Sequence, residues 1–462
     1  MCRRLGGMIK ATHSAERAAQ VCIEAACAER FGVNERLYTC PRCGGLLDLV
    51  TQPDATADEL KALWTARLAS FAPTDRSGVW RYRDLLPFAA DAPVVTLQEG
   101  NTPLFDARRA AQYCGLDALQ LKHQGCNPTG SFKDTGMTAA VTQARVLGAK
   151  LLVCASTGNT SASLAAYAAQ AGLACAILVP QGQISLAKLA QSLDYGAAVL
   201  EIAGNFDDAM RVIQELAEDP AVYLVNSINP FRLEGQKTVA FELAQQLGWR
   251  VPDHLIVPGG NLGNSSALGK GFAELYNLGV IDRLPKITIV QAAGAAPLAA
   301  LFAAPWRDKS RESTDFGAAQ NELYRPVADP HTLATAIKIG SPVSWKKALR
   351  ATEWTGGGAL SITEQEIADA KAIIGRDGVG CEPASATTVA GLKKLTAQGL
   401  IRADEEVVCV LTGHVLKDAD YVINYHRGKL RSGADLLSSA FANRPQRVAA
   451  SKTAILAALE MK

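Results

Sequence analysis

The sequence predicts an α/β protein with two doubly wound parallel sheets. From Leu151 onward, short apolar runs alternate with helical stretches. The predicted strands are 151–156, 174–179, 198–202, 222–225, 254–258, 287–292 and 407–412. The predicted helices between them are 160–170, 184–195, 206–218 and 265–278. Apolar strands separated by helices are typical of βαβ units, which bind ligands at the carboxyl ends of their strands.

Composition limits the classes of partner. The 462 residues include 47 Lys+Arg and 45 Asp+Glu, giving a net charge of +2, and 48% are hydrophobic. This balance argues against nucleic acid or an anionic membrane as the main partner. The uncharged stretch 151–187 is interrupted by Gly158, Asn159 and Pro180, so it does not read as a membrane span. The first ten residues show no apolar run typical of a signal peptide, and we expect a cytoplasmic protein.

We expect four regions along the chain. Residues 1–90 form an N-terminal region with clustered cysteines and a polar helix at 56–70. A small α/β domain is expected at 128–227, and a larger one combines 91–127 with 228–430. Residues 431–462 form a basic tail, for which a solvated surface helix is expected. The polar stretch 306–331 is expected to be an irregular excursion.

Four of the eleven cysteines, Cys22, Cys27, Cys40 and Cys43, are close in sequence near the N-terminus. Four thiolates can hold a tetrahedral zinc ion. The Cys40-x2-Cys43 pair has the spacing of a zinc knuckle, whereas Cys22-x4-Cys27 is looser. A structural zinc ion and a metal-free remnant of a zinc ribbon both stay open. The other cysteines are scattered, which fits a reducing compartment.

Lys133 lies in the segment NPTGSFKDTG (127–136), after two turn dipeptides and in the first turn of a predicted helix. The positive end of a helix disfavours a second positive charge. An amine with a lowered pKa is what a Schiff-base lysine requires. A solvent-exposed lysine at a helix start is the alternative.

Three further segments follow predicted strands. STGNTSAS (156–163) offers hydroxyls, amides and backbone N–H groups, either to an anion or to cap a helix. GGNLGN (259–264) is a glycine-rich turn that can surround a phosphate, and it matches neither a P-loop nor a dinucleotide fingerprint. Thr412, in LTGHVLKD (411–418), places a neutral hydroxyl at a strand end, where it could bond a ring nitrogen.

These motifs resemble those of the threonine synthases, pyridoxal-phosphate enzymes of the tryptophan-synthase-β fold, also called fold type II. The matching segments, in the same order, are NPTGSFKDTGM, ASTGNTSAS, NSINPFRLEGQKT, PGGNLGN, EPASATT and LTGHVLKD. GNTPL (100–104) and ATAIKIGSPVSWKKAL (334–349) also resemble that family. The resemblance covers about residues 80–425. It makes the larger domain the one expected to bind the cofactor.

The resemblance implies a role for each matched residue. Lys133 would be the Schiff-base lysine, Asn159 would bond the phenolic oxygen of the cofactor, and Thr412 would face its pyridine nitrogen. The cofactor phosphate would be held by Gly260, Asn261, Leu262, Gly263 and Asn264. The substrate would be bound by Ser156, Thr160, Asn226 and Arg232. A hydroxyl at the pyridine nitrogen, in place of a carboxylate, is expected to leave that nitrogen largely unprotonated.

The implied reaction converts O-phospho-L-homoserine and water into L-threonine and phosphate. Two alternatives within the fold are a threonine dehydratase and a cysteate synthase. A third, of another class, is a zinc-ribbon binding module on an inactive enzyme fold, against which the intact Lys133 argues. Two departures from the family are Thr135, where Arg is frequent, and Val415, where Gly is frequent. The sequence leaves the oligomeric state open, with a homodimer as one option.

Overall fold

The computed structural model describes residues 17–182, 186–303 and 323–460. Within these ranges the strands are β1 Ala18–Cys22, β2 Arg30–Gly32, β3 Leu47–Thr51, β4 Leu104–Asp106, β5 Gln120–His123, β6 Leu151–Ala155, β7 Ala174–Pro180, β8 Ala198–Ile202, β9 Val222–Leu224, β10 His254–Pro258, β11 Lys286–Ala292, β12 Gly358–Ile362, β13 Val407–Leu411, β14 Arg431–Ser432 and β15 Asp435–Leu436. The helices are α1 Ala57–Leu68, α2 Pro73–Arg76, α3 Arg108–Cys114, α4 Lys133–Val146, α5 Asn159–Ala171, α6 Leu186–Asp194, α7 Phe206–Leu216, α8 Pro230–Gln246, α9 Gly263–Asn277, α10 Pro297–Ala303, α11 Trp345–Thr355, α12 Glu364–Arg376, α13 Pro383–Ala397, α14 Ala419–His426 and α15 Lys452–Glu460.

The smaller parallel sheet has the strand order β8-β7-β6-β9. Successive residues of β6 face opposite sides, as the period of two for a strand requires. Leu152 and Cys154 pack with α4 and α5, whereas Val153 and Ala155 pack with α7. Both faces of the sheet are therefore covered, which explains why these strands are uniformly apolar in sequence.

The larger sheet has the order β12-β11-β10-β13-β5-β4 and is parallel except for β4, which runs antiparallel to β5 at the edge. Ile256 of β10 faces a core formed with α3, α12 and α13. Its neighbours Leu255 and Val257 face a second core formed with α1, α8, α9 and α11. The predicted fold class, with two doubly wound parallel sheets, is confirmed; the parallel strands β5 and β12 and the antiparallel edge strand β4 of this sheet were not predicted.

The N-terminal region contains a separate antiparallel sheet with the order β2-β1-β3. Buried lysines attach it to the helices of the larger sheet. Lys347 of α11 donates to the carbonyl oxygen of Leu47 at 2.7 Å, and Lys270 of α9 donates to that of Leu49 at 2.5 Å. Asp48 forms an ion pair with Lys347 at 2.9 Å.

Within the tail, α15 exposes the apolar side chains of Ile455, Leu456 and Leu459, and the expected solvated helix stays a prediction. The predicted excursion at 306–331 lies largely outside the described residues, as do the first ten residues. None of the described helices is both long and apolar enough to cross a membrane. The domain boundaries given above stay a prediction.

Candidate active site

The segment that carries Lys133 is held against the carboxyl end of β13. The backbone N–H of Phe132 donates to the carbonyl oxygen of Thr412 at 2.9 Å, and that of His414 donates to Gly130 at 2.9 Å. Asp134 secures the other side of the segment: it accepts from the N–H and the hydroxyl of Thr129, at 2.7 and 2.6 Å, and from Ser163 of α5 at 2.6 Å. The first turn of α4 is thus fixed between the two sheets.

Lys133 begins α4 and is half-buried. Its Nζ lies 4.4 Å from the centre of the Phe132 ring and forms no hydrogen bond or ion pair with any described residue. Burial, together with the positive charge of Arg232, lowers the pKa of Lys133 to about 7. A large fraction of this amine is therefore unprotonated near neutral pH, which is the nucleophilic form.

Two glycines let α4 and α8 approach closely beside Lys133. A Cβ atom on Gly136 would lie 2.7 Å from the carbonyl oxygen of Arg232, and one on Gly235 would collide with the backbone of Thr135. This crossing brings the N-terminal turns of the two helices together. The positive ends of the α4 and α8 helix dipoles therefore lie close together beside Lys133.

Arg232, in the first turn of α8, is 1% exposed and has no carboxylate partner among the described residues. Its Nη1 donates to the carbonyl oxygen of Val225 at 3.1 Å, and its Nε has no hydrogen-bond partner there. Burial lowers the pKa of Arg232 to about 10, so it stays cationic at neutral pH. A buried guanidinium without an anion nearby is costly, and a bound anion would remove that cost.

The turn after β6 leads directly into α5. Gly158 is the N-cap residue and provides no side-chain cap, so Asn159 begins the helix with its side chain free for other contacts. Ser156 and Thr160 flank it and are half-buried. Asn226 exchanges two hydrogen bonds of 3.1 Å with the backbone of Ala155, which ties the end of β9 to β6. Its expected contact with substrate stays a prediction.

The glycine-rich turn after β10 presents unpaired polar groups. The backbone N–H groups of Gly260, Asn261 and Leu262 form no hydrogen bond with any described residue. Leu262 adopts a left-handed backbone conformation (φ 63°) at the N-cap of α9 and supplies no capping side chain. Both polar atoms of the buried Asn264 side chain are also unpaired within the described part of the chain.

Asn261 fixes this turn to α11. Its side-chain oxygen accepts from the N–H of Val343 at 2.6 Å, and its carbonyl oxygen accepts from Ser344 at 3.3 Å. A Cβ atom on Gly260 would lie 3.1 Å from Ile337, so the loop is packed from behind. The turn thus offers a rigid set of N–H groups at a helix N-terminus, which suits a phosphate.

Glu382 is a site residue to which motif reasoning assigned no role. It is 1% exposed, lies at the N-cap of α13 and accepts from Asn159 Nδ2 at 2.9 Å and from Thr412 Oγ1 at 3.0 Å. Burial raises the pKa of this carboxyl group. The only signal available in the sequence was its place in EPASATT, where a glutamate before a proline reads as an ordinary helix start.

The two departures from the family are both accommodated. The buried Thr135 donates its hydroxyl proton to the carbonyl oxygen of Phe132 at 2.9 Å, within the turn that carries Lys133. Val415 packs against Gly380, whose added Cβ would lie 2.7 Å from that of Val415. Val415 does not have a left-handed backbone, so the turn after His414 does not require glycine here.

The four N-terminal cysteines converge, although they come from separate turns and strands. Their Sγ atoms all lie within 4.8 Å of one another. Cys22 and Cys43 are 3.4 Å apart at sulfur, and Cys27 and Cys40 are 3.7 Å apart. These separations are too long for disulfides and close to the edge of about 3.8 Å that four sulfurs at about 2.3 Å from a zinc ion would have.

Comparison with known proteins agrees with this geometry. The family described as "Pyridoxal-phosphate dependent enzyme" matches residues 95–413, more than half of the chain. Among solved structures, threonine deaminase isoform 2 of Solanum lycopersicum superposes with a TM-score of 0.56 at 19% identity, over 79% of this chain and 87% of that one. A fungal L-serine ammonia-lyase from Rhizomucor miehei gives a TM-score of 0.54 at 18% identity, over 68% and 94%. The chain belongs to the pyridoxal-phosphate-dependent enzymes, with the fold type II architecture.

Curated relatives narrow the class. The threonine synthase of Methanocaldococcus jannaschii is 45% identical over 418 residues, which cover 90% of this chain and 97% of that protein. The threonine synthase of Mycobacterium bovis is 47% identical over 341 residues, covering 73% and 88%. Within the pyridoxal-phosphate enzymes, the chain belongs to the threonine synthases. Its unpaired loop N–H groups, its low-pKa lysine and the unpaired Asn264 fit pyridoxal phosphate.

Proposed function

We propose that this protein converts O-phospho-L-homoserine and water into L-threonine and inorganic phosphate, with pyridoxal phosphate bound at Lys133. The observation that supports this substrate is the buried guanidinium of Arg232, which has no carboxylate partner among the described residues. It lies close enough to Lys133 to lower the pKa of that lysine. The free face of that guanidinium is a site for the phosphate of the substrate. Charge-assisted bonds to a dianion are stronger than bonds to a neutral hydroxyl.

The positions of the unpaired groups support the proposed cofactor-binding roles. The N–H groups of 260–264 and the side chain of Asn264 hold the cofactor phosphate at the N-terminus of α9. Lys133 would bind the cofactor covalently, Asn159 would hold its phenolic oxygen, and Thr412 would hold its pyridine nitrogen. When bound, pyridoxal phosphate supplies an electron sink for the substrate carbons, and the protein supplies orientation and charge.

The substrate roles use the remaining groups. Ser156 and Thr160, beside the N-terminus of α5, bind the α-carboxylate, and Arg232 binds the phosphate that leaves from Cγ. Asn226 holds the strand ends at the correct separation through Ala155. Lys133, whose pKa is lowered to about 7 in the cofactor-free chain, would be the residue that holds and returns a proton at the substrate carbons.

Steady-state kinetics on four compounds test this proposal. O-phospho-L-homoserine should be turned over far better than L-threonine, L-serine or O-phospho-L-serine. The two hydroxyl compounds leave Arg232 unpaired, and O-phosphoserine is one methylene too short to fill the carboxylate and phosphate sites together. Preferred conversion of L-threonine to 2-oxobutyrate would indicate a dehydratase. Preferred use of O-phosphoserine with sulfite would indicate a cysteate synthase.

We also propose that Cys22, Cys27, Cys40 and Cys43 bind one structural zinc ion. The sulfur separations support a tetrahedral four-thiolate site, and the cluster is formed by Cys22 at the end of β1 and by three cysteines in the connections between β1, β2 and β3. No group to which we assign substrate binding lies among these cysteines, so the ion would serve the fold of the N-terminal region. Closed four-cysteine sites are typical of structural zinc.

Metal analysis of protein purified without chelator should find about one zinc per chain. Cys43→Ser should lower the zinc content sharply, while Cys175→Ser, in β7 and outside the cluster, should leave it unchanged. Absence of zinc in the wild type would favour the metal-free remnant. None of the ten cysteines of the described residues forms a disulfide, which supports the expected cytoplasmic location.

A further inference from the structure

A cavity of about 490 Å³ lies between α12, α14 and the tail. Cavities of roughly 300–1,000 Å³ are the usual size of sites for small organic ligands. Apolar and aromatic side chains form part of its wall, among them Ala368 and Ala372 of α12, Tyr421 of α14 and Phe441 of the tail. None of the residues to which we assign cofactor or substrate binding lines it. The cavity is therefore a separate feature of the molecule.

Lys371 of α12 lines this cavity and is 8% exposed. Its ammonium group forms no hydrogen bond or ion pair with any residue that the structure describes, and Asp418 and Glu382 act on it only through their charges. Burial lowers the pKa of Lys371. A buried ammonium group without acceptors is costly, and an anion bound in the cavity would remove that cost.

Three further basic side chains line the cavity: Arg376, His426 and Arg427. Burial, together with the positive charges of Lys371 and Arg376, lowers the pKa of His426, so these three groups lie near one another. Arg376 donates to the carbonyl oxygen of Phe441 at 3.0 Å, and its guanidinium carbon lies 5.4 Å from the centre of the Phe441 ring. Neither Lys371 nor Arg376 forms an ion pair with a carboxylate of the described ranges.

His426 offers a second donor that has no acceptor. The backbone N–H of Asn443 donates to its Nδ1 at 2.8 Å. Because a backbone N–H can only donate, the neutral ring carries its proton on Nε2. The lowered pKa keeps the ring neutral near pH 7. The Nε2–H group has no hydrogen-bond partner within the described part of the chain.

Acidic groups do not neutralise this set. Among the described residues that line the cavity, four are basic and none is acidic. Asp418 and Glu382 act on Lys371 from outside the lining, and burial raises the pKa of Glu382, which favours its neutral form. Asp369 accepts from the hydroxyl of Tyr425 at 2.9 Å and does not line the cavity either. The cavity therefore favours a ligand that carries negative charge.

We propose that this cavity binds an organic anion, in which a carboxylate, sulfonate or phosphate group meets Lys371 and an apolar body meets the rings of Tyr421 and Phe441. The unpaired donors of Lys371 and His426 require acceptors, and an oxyanion has acceptors only. The apolar part of the wall excludes water from the rest of the ligand and favours an organic body over a bare inorganic ion. This site does not depend on the substrate named under the proposed function.

Two probes with the same rings separate charge from apolar contact. Anilinonaphthalene sulfonate carries a negative charge, and phenylnaphthylamine is its uncharged analogue. Isothermal titration calorimetry of the holoenzyme should show one sulfonate bound per chain. Lys371→Met should weaken binding of the sulfonate by about tenfold or more, as the loss of a hydrogen bond to a charged group does, and should leave binding of phenylnaphthylamine unchanged. The exposed Lys150→Met is the matched control and should bind both probes as the wild type does.

Two further variants keep the test decisive. Lys371→Arg retains the positive charge and should keep most of the affinity for the sulfonate. Arg232→Met removes the charge at the proposed substrate site and should not alter that affinity. The proposal is overturned if the wild type shows no saturable binding, or if Lys371→Met binds the sulfonate as tightly as the wild type. Equal weakening of both probes in Lys371→Met, or loss of sulfonate binding in Arg232→Met, also overturns it.

Discussion

Arg232→Met tests the substrate-binding assignment with opposite expected effects on stability and catalysis. In the free protein Arg232 makes one hydrogen bond to a carbonyl oxygen of the described residues, leaves Nε unpaired and is 1% exposed. Methionine has a similar length and no charge to desolvate. Replacing buried ion pairs by apolar side chains of similar volume is often neutral or stabilising, and a buried charge without a partner is still more costly to keep. The free energy of unfolding of the cofactor-free variant should therefore stay the same or rise.

The catalytic efficiency of Arg232→Met should fall, whereas its stability should not. Hydrogen bonds to charged groups contribute about 1.5–3 kcal/mol each. Loss of one such bond lowers kcat/KM for O-phospho-L-homoserine roughly 10- to 150-fold, at about 1.4 kcal/mol per factor of ten. Inhibition by inorganic phosphate should weaken by a similar factor, since it occupies the same guanidinium.

The assay is phosphate release under steady-state conditions, with urea unfolding of the same preparations. Arg211→Met is the matched control, because Arg211 lies on the exposed face of α7 in an i,i+4 pair worth a few tenths of a kcal/mol. It should leave kcat/KM unchanged. If Arg232→Met keeps kcat/KM within about twofold of wild type, Arg232 does not bind the substrate phosphate. A fall of several kcal/mol in stability would show instead that it is a structural residue.

Two other predictions concern the helix start that carries Lys133. The pKa of Lys133 is about 7 in the folded chain and 10.5 as its reference value, so between these values the unfolded chain binds more protons and stability rises with pH. In urea unfolding of the cofactor-free protein, the free energy of unfolding of the wild type should therefore rise relative to that of Lys133→Met as the pH increases from 7 to 10.5. If the two proteins show the same pH dependence, the pKa of Lys133 is not lowered. Gly235→Ala forces α4 and α8 apart and should cost on the order of 1–3 kcal/mol, with loss of cofactor affinity. Gly375→Ala in α12, where an added Cβ would meet nothing within 4 Å, should raise the free energy of unfolding by about 0.5–1 kcal/mol. Equal effects of Gly235→Ala and Gly375→Ala in thermal unfolding would refute the close approach of α4 and α8.

The strands of the smaller sheet were predicted within one residue at most ends. Apolar runs such as 151–155 are bounded by charges or turn residues, and strands buried on both faces leave this signature locally. The antiparallel strand β4 was missed because its three residues are half-buried or exposed and carry no periodic pattern. Its place depends on pairing with β5, which is decided by tertiary contacts.

In the site, too, the residues that were predicted are marked by their neighbours in sequence, and those that were missed depend on residues distant in sequence. The turn at 259–264 and the helix start at Lys133 were predicted because glycine, proline and hydroxyl residues mark them in sequence. Glu382 was missed because its role arises from Asn159 and Thr412, which lie 223 and 30 residues away along the chain. Likewise, nothing local indicates that the Asn226 amide is used by Ala155, since that contact depends on the register of β9 against β6.

The most direct test of the assigned site is to locate the cofactor on the chain. Purified holoenzyme is reduced with borohydride, digested, and its peptides are analysed by mass spectrometry. We expect the reduced cofactor on the peptide that contains Lys133, and on no other. Cofactor on a different lysine, such as the buried Lys122 or Lys270, or on none, would contradict the assignment of the site.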